Sequence, residues 1–258
     1  MKIAGLQTDI AWEDRHENFS RIDTLLAEAE EISEGSLLVL PELSTSGFTM
    51  NTSAVAEPRH GDSADYFSEL ARRNRSHVIA GIAGQNEDTT LGANESVCYS
   101  PDGAEIARYR KRNPFPLANE GDHYPAGNRT VVFEIDGWKV APLICYDLRF
   151  PEPFREATAL GAELFVVIAN WPVVRVDHWI TLLRARAIEN LAYVVGVNRC
   201  GSDPHLQYPG ASLVVGPKGE IIARAGAEPT VLRAEIDHES LLQWRRDFPA
   251  LACLNPNS

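Results

Sequence analysis

Apolar residues along this chain recur with two periods, and the two periods alternate. Short continuous apolar runs at residues 2–8, 36–40, 77–84, 164–169 and 193–198 read as buried strands. Between them lie stretches with apolar positions at helical spacing. In residues 13–32 these are Phe19, Ile22, Leu25, Leu26, Ala29 and Ile32, and in residues 178–192 they are Trp179, Leu182, Leu183, Ala187, Ile188 and Leu191. Residues 61–74 predict another helix. A fourth, over residues 151–160, has Pro151 and Glu152 in its first turn and Gly161 beyond its end. Three hairpins punctuate the series. Pro101-Asp102-Gly103 joins strands at 94–100 and 105–109, Asp136-Gly137 joins 130–135 to 138–145, and Gly216-Pro217-Lys218-Gly219 joins 212–215 to 221–224. A last strand is expected at 231–236. Residues 111–128 have no period and read as a long functional loop. Residues 201–211, with His205, Gln207 and Tyr208, read as a loop able to close over a pocket. Alternating strands and helices with hairpins interspersed predict an α/β fold with mixed sheets. No linker, repeat or low-complexity segment divides it, so residues 1–237 are taken as one domain. Residues 238–258 are taken as a short polar-aromatic tail, packing on the domain or at an oligomer interface.

Composition narrows the function classes. The 258 residues are 44% hydrophobic, enough for a full core, and the net charge of −12 argues against nucleic acid or an anionic membrane as partner. No apolar run approaches the roughly 18 residues of a membrane span. The chain opens directly on a strand-like run, so no secretory leader is expected. Four widely spaced cysteines without a CxxC suggest free thiols in a reducing cytoplasm. Dinucleotide and phosphate-loop motifs are missing, as are HExxH and GxSxG. His178 and His205 could ligate a metal only from afar, and no metal is expected.

Chemistry concentrates at the end of one strand. The apolar run Val140 to Ile144 ends on Cys145, followed at once by Tyr146, Asp147 and Arg149. A thiol where a buried strand gives way to a helix meets N–H groups that favour a thiolate. The bland alternative is a small apolar residue at a strand end. Glu42 has a similar setting, just past an apolar strand and behind Pro41; alone it reads equally as a cap or loop acid. Lys111 lies in the basic run Arg108 to Arg112, whose ordinary reading is a solvated face. Glu120 lies in the aperiodic loop, where solvent is again the ordinary surrounding.

Taken together, Pro41-Glu42-Leu43, Lys111 with Pro114, and Cys145-Tyr-Asp-Leu-Arg-Phe-Pro-Glu152 resemble the nitrilase superfamily of carbon–nitrogen hydrolases. The resemblance covers the chain to about residue 237. It extends to the opening Ile-Ala-Gly-Leu-Gln-Thr and to Ala185-Arg-Ala-Ile-Glu-Asn190. Ile168-Ala-Asn-Trp-Pro172, Gly196-Val-Asn-Arg199 and Phe248-Pro249 look most like the omega-amidase branch found in bacteria. The resemblance implies a four-layer α-β-β-α sandwich and a homodimer or larger homo-oligomer. It also implies a Cys145 nucleophile working through a thioester, with no metal or organic cofactor. Glu42 would be the general base and acid. Lys111 and the Tyr146 N–H would hold the oxyanion, and Glu120 would position Lys111 or the substrate amide.

For the substrate, Arg149 reads either as a clamp for a carboxylate or as an ion pair with Asp147, Glu152 or another acid. Carbamoylases of the superfamily carry two adjacent arginines here; Leu148 occupies the first of these positions, which counts against that activity. Trp171 and Arg175 follow a strand end that would open on a ligand crevice. Phe48, Phe115 and Trp171 are pocket walls or simply core. Ala211 stands where omega-amidase relatives often carry an acid. The expected activity is hydrolysis of the terminal amide of a small ω-amido dicarboxylate such as α-ketoglutaramate or α-ketosuccinamate. The alternatives are a deaminated-glutathione amidase, a carbamoylase, a nitrilase, or a non-catalytic binding protein.

Overall fold

The computed structural model describes residues 1–29, 32–86 and 89–253. Two stretches with sequence-based expectations lie outside these: residues 30–31 of the first predicted helix and 254–258 of the tail. In chain order the strands are β1 (Lys2–Gln7), β2 (Leu37–Val39), β3 (His77–Gln85), β4 (Gly92–Tyr99), β5 (Glu105–Arg110), β6 (Phe133–Ile135) and β7 (Trp138–Ile144). They continue with β8 (Leu164–Ala169), β9 (Tyr193–Asn198), β10 (Cys200–Ser202), β11 (Gln207–Pro209), β12 (Leu213–Val215), β13 (Ile221–Arg224) and β14 (Thr230–Glu235). The helices are α1 (Arg15–Glu28), α2 (Thr52–Val55), α3 (Asp62–Asn74), α4 (Glu120–His123), α5 (Pro151–Ala159), α6 (Val176–Asn190) and α7 (His238–Asp247).

Two six-stranded sheets carry the fold, ordered β14-β1-β2-β3-β4-β5 and β13-β12-β9-β8-β7-β6. In each, three central strands are parallel, β1-β2-β3 and β7-β8-β9, and the flanking pairings are antiparallel. Alternation along each strand separates two faces. On the first sheet Ala4, Leu6, Leu38, Val78 and Ala80 pack outward on Ile22 of α1 and on Phe67 and Leu70 of α3. Ile3, Leu37, Val39 and Ile79 turn inward and join the core of the second sheet. The outer face of that sheet carries α5 and α6: Phe154 lies against Phe165, and Gly196 leaves room for Leu183 and Trp179. The layers therefore run helix, sheet, sheet, helix. The sheets approach closely where Gly5 of β1 faces Val197 of β9, since a Cβ there would lie 3.0 Å from Val197 Cγ2. Among the described residues no helix is long and apolar enough to cross a membrane.

Several expectations are corrected. The first helix starts at Arg15, two residues late, because Asp14 caps it by accepting from the Glu17 N–H at 3.0 Å. The aperiodic stretch 111–128 is not a plain loop: it holds a 3₁₀ turn at Pro116–Ala118 and the single turn α4. Residues 201–211 are not a free loop either, because β10 and β11 pair as an antiparallel hairpin within 200–209. The tail begins with a regular helix, α7, capped by Asp237 and anchored by buried Leu241; Arg245 donates to the carbonyls of Leu191 (2.9 Å) and Ala162 (2.8 Å).

Candidate active site

The site lies at the carboxyl ends of strands from both sheets, the usual crevice of open α/β architectures. Glu42 follows β2, Lys111 follows β5, Cys145 follows β7, and Asn170 with Trp171 follows β8. Glu42 and Glu120 are completely buried, and Lys111 is 2% exposed. Burial of that kind is tolerable for charges only when they are paired and hydrogen-bonded. Lys111 Nζ lies 2.7 Å from Glu42 Oε1 and 3.0 and 2.9 Å from the two Glu120 oxygens. Asn94 Nδ2 donates to Oε1 of both glutamates, each at 2.8 Å. The second oxygen of Glu42 accepts from the Asn170 N–H at 2.8 Å, and that of Glu120 from the Phe115 N–H at 2.6 Å. Every carboxylate oxygen of the pair thus has a fixed donor.

Two carboxylates share one ammonium, and they settle differently. Burial pushes the Glu42 carboxyl up, but Lys111 and the donors of Asn94 and Asn170 outweigh it and hold the group below its ordinary value. Burial and the charge of Glu42 leave Glu120 above its ordinary value despite Lys111. Burial lowers the Lys111 ammonium, but Glu120 and Glu42 more than reverse that and hold it above its ordinary value. Cys145 departs from expectation. Burial first, then the negative charge of Glu42, push its thiol well above the ordinary range, and Lys111 offsets only part of this. At this strand-to-helix junction burial and Glu42 therefore oppose a thiolate, while Lys111 and the amide donors favour the ionised form of Glu42.

The turn that presents the thiol is tightly specified. Cys145 has φ +45°, a left-handed conformation uncommon outside glycine, and opens a 3₁₀ turn over Cys145–Arg149 that precedes α5. Asp147, completely buried, clamps it. One carboxylate oxygen accepts from the Ile144 N–H (3.0 Å) and the Tyr109 hydroxyl (2.8 Å). The other accepts from the backbone and side-chain N–H groups of Asn113, both at 2.9 Å. Tyr109 and Asn113 flank Lys111 at two residues on either side, so Asp147 ties the Cys145 turn to the lysine segment. From behind, Arg186 of α6 donates to the Leu148 carbonyl at 2.8 Å. The Leu148 side chain is buried in the core, away from the pocket.

Cys145 lines a narrow pocket together with Phe48, Phe115, Tyr146, Arg149, Trp171 and Arg175. All ten predicted site residues therefore gather in one place: six surround this pocket with the thiol, and Glu42, Lys111 and Glu120 form the ionic array beside it. Phe48 covers Lys111, whose Nζ is 5.3 Å from the ring centroid, and the Phe115 ring stands edge-on to Tyr146. The open choice for Arg149 is resolved against an ion pair with Asp147 or Glu152. Its guanidinium lies over Trp171 at 5.1 Å and meets His178 Nδ1 at 3.0 Å. Arg175 lies over Phe115 at 5.3 Å. Among the described residues neither arginine is in ion-pair contact with a carboxylate.

Asn94, Asn170, Asp147 and Leu206 went unrecognised as site residues. Asn170 stood one position before a residue already singled out at a strand end. Asn94, in the middle of a strand, carried no local signal. Leu206 reaches the pocket from the β10–β11 turn. His205 meets Trp12 edge-on, with ring centroids 5.7 Å apart.

A family model described as carbon-nitrogen hydrolase matches residues 2–246, and the chain belongs to this family. It is an amidohydrolase acting on carbon–nitrogen bonds. The omega-amidase YafV of Escherichia coli (strain K12) is 40% identical over 252 residues, covering 97% of this chain and 95% of the relative. The 2-oxoglutaramate amidase of Bacillus subtilis (strain 168) is 35% identical over 248 residues, covering 96% and 95%. Among solved structures, XC1258 from Xanthomonas campestris, a CN-hydrolase superfamily protein with an arsenic adduct in its active site, superposes with a TM-score of 0.90. It shares 33% identity, and the match covers 98% of this chain and 96% of that one.

Proposed function

We propose that this amidohydrolase cleaves the terminal amide of a small ω-amido dicarboxylate of the 2-oxoglutaramate or 2-oxosuccinamate type, through a Cys145 thioester. The observation that carries the substrate reading is the pair Arg149 and Arg175. Both line the pocket that holds the thiol, and neither is engaged by a carboxylate among the described residues. A guanidinium without an acid partner suits a substrate carboxylate. Leu148, directed into the core, leaves no second adjacent arginine for a carbamoyl amino acid. Of the relatives above, one is named an omega-amidase and the other a 2-oxoglutaramate amidase.

An amide needs an activated nucleophile, an oxyanion partner and an acid for the departing nitrogen. Glu42, ionised beside a neutral thiol, takes the proton as sulfur attacks the carbonyl carbon. The developing oxyanion is met by Lys111 and the Tyr146 N–H. Glu42 then gives its proton to nitrogen, the C–N bond breaks, and ammonia leaves a thioester on Cys145. Water, deprotonated by Glu42, attacks the thioester; the acid departs and the thiol is restored. Glu120 holds Lys111 in place throughout.

The reading extends to assembly and location: a homodimer formed through the α5–α6 layer, in a reducing cytoplasm. Leu160 and Ile188 on that layer are 56% and 48% exposed, and all four cysteines are free. The test is a panel of ω-amido acids, carbamoyl amino acids, nitriles and neutral amides, with ammonia release measured and the quenched acyl-enzyme mass determined. The expected result is preferred turnover of ω-amido dicarboxylates and an adduct of the corresponding acyl mass on Cys145. Carbon dioxide released with ammonia, or an adduct on another residue, would overturn the reading.

A further inference from the structure

Arg149 is held in a way that leaves its charge uncancelled. A guanidinium carries only donors, so its 3.0 Å contact with His178 Nδ1 requires that nitrogen to be the acceptor. In that contact Nδ1 presents its lone pair to the guanidinium. The guanidinium carbon of the same side chain lies over the Trp171 ring, 5.1 Å from its centroid. Two contacts, one to His178 and one to Trp171, thus hold the group in position. Trp171 is itself fixed, since its backbone N–H donates to Asn198 Oδ1 at 2.7 Å and its indole N–H to the Arg175 carbonyl at 2.7 Å. His178 stands in the first turn of α6 beside Trp179, which is completely buried. Trp171 is thus held on two sides, and the exposed imidazole projects from a helix turn anchored by Trp179.

A carboxylate at position 178 would orient the arginine equally well, but it would neutralise the charge and compete with an incoming anion. A neutral acceptor orients without competing. It also removes part of the rotamer entropy that a free arginine loses on binding. We infer that His178 is a positioning residue for substrate selection, aiming Arg149 at the carboxylate of an anionic amide while leaving its full positive charge available. This rests on the proposed ω-amido acid reading and adds to it the residue that sets the preference for anionic over neutral amides.

The experiment compares KM and kcat for 2-oxoglutaramate and for propionamide in the wild type, R149Q, H178N, H178L and H178E. Asn can place its Oδ1 near the position of the imidazole Nδ1, so H178N retains the acceptor and keeps KM for the anionic amide within about twofold of wild type. H178L loses the acceptor and raises that KM about tenfold, the scale of one hydrogen bond to a charged group. H178E raises it at least as much by pairing with Arg149. In all three His178 variants kcat and the KM for propionamide stay near wild type, a split that general damage to the fold would not produce. Should R149Q raise KM for the anionic amide while H178L and H178E do not, this inference falls alone. Should KM for both substrates rise in step in H178L, it falls likewise. An unchanged KM in R149Q would overturn the inference, and the substrate reading would then rest on Arg175 alone.

Discussion

At Cys145 the decisive quantity is a proton. The thiol is buried beside the Glu42 carboxylate, and burial and that charge push it well above its ordinary range; in the proposed mechanism its proton moves to Glu42 as the carbonyl is engaged. This differs from a preformed thiolate beside a cation, and the difference can be measured. Glu42→Gln removes the negative charge that raises the thiol and leaves Lys111 less neutralised, so both changes lower the thiol pKa. Alkylation of Cys145 by iodoacetamide at pH 8 is therefore expected to be faster in this variant, while amide turnover falls by about 10²–10⁴-fold with the base gone. Slower alkylation together with lost turnover would mean that Glu42 activates the sulfur in the resting state. At this scale the sequence was partly legible. Glu42, Lys111 and Cys145 were singled out because three spaced motifs occurred in order, and Glu120 because the resemblance implies a second glutamate, although each alone had an ordinary explanation. Asn94 and Asn170 were not, because an amide in a strand interior or at a strand end looks like any polar residue. Their importance comes from sharing carboxylate oxygens with residues as many as 128 positions away in the chain. The conformation of Cys145 was not legible either, since a positive φ is imposed by the turn and by Asp147 behind it.

The elements that carry the site were largely readable from periodicity, because each buries one face or both. The elements that periodicity missed draw stability from other sources. The β10–β11 hairpin is polar and short. Buried Arg199 stacks on Tyr208 at 4.3 Å, the Tyr208 hydroxyl donates to Asp203, and Asp203 also accepts from the backbone of His205 and Leu206. Helix α7 buries only Leu241 among its residues, too little for a stripe, and relies on its Asp237 cap. The turn bearing Glu42 depends on one glycine in a neighbouring strand. A Cβ at Gly81 of β3 would lie 2.4 Å from the Leu43 nitrogen and 2.5 Å from both the Glu42 Cα and the Pro41 carbonyl oxygen. These are backbone atoms that no rotamer change can move aside. Gly81→Ala is therefore expected to cost about 2–3 kcal/mol of stability by overpacking. It should also displace Glu42, lowering kcat/KM by more than tenfold, because a shift of about an ångström in a catalytic group is felt at that level. Denaturant unfolding and steady-state kinetics on the purified variant check both parts. Wild-type values for either would show that the turn has slack its contacts do not suggest.

Considered as a whole, the molecule divides its site between two sheets. Glu42, Asn94 and Lys111 come from the first, and Cys145 and Asn170 from the second. What fixes the second half is the α5–α6 layer: Arg186 holds the Leu148 carbonyl, and Arg155 donates to the Glu189 carbonyl at 2.7 Å, linking the two helices. The same layer carries the exposed apolar residues Leu160 and Ile188. A two-fold interface uses one patch on both subunits, so a charge introduced there meets its own copy across the axis and is strongly disfavoured. If the proposed dimer forms through this layer, replacing both Leu160 and Ile188 by Glu should convert it to a monomer in sedimentation velocity without unfolding the chain, because both side chains already face solvent within the protomer. The consequence should reach the nucleophile. Once the α5–α6 layer loses its partner, Arg186 holds the Cys145 turn from a less constrained helix, and kcat should fall while the circular dichroism spectrum stays that of the wild type. Identical sedimentation of variant and wild type would place any subunit contact elsewhere. A monomeric variant with full turnover would show that each protomer holds its nucleophile turn unaided.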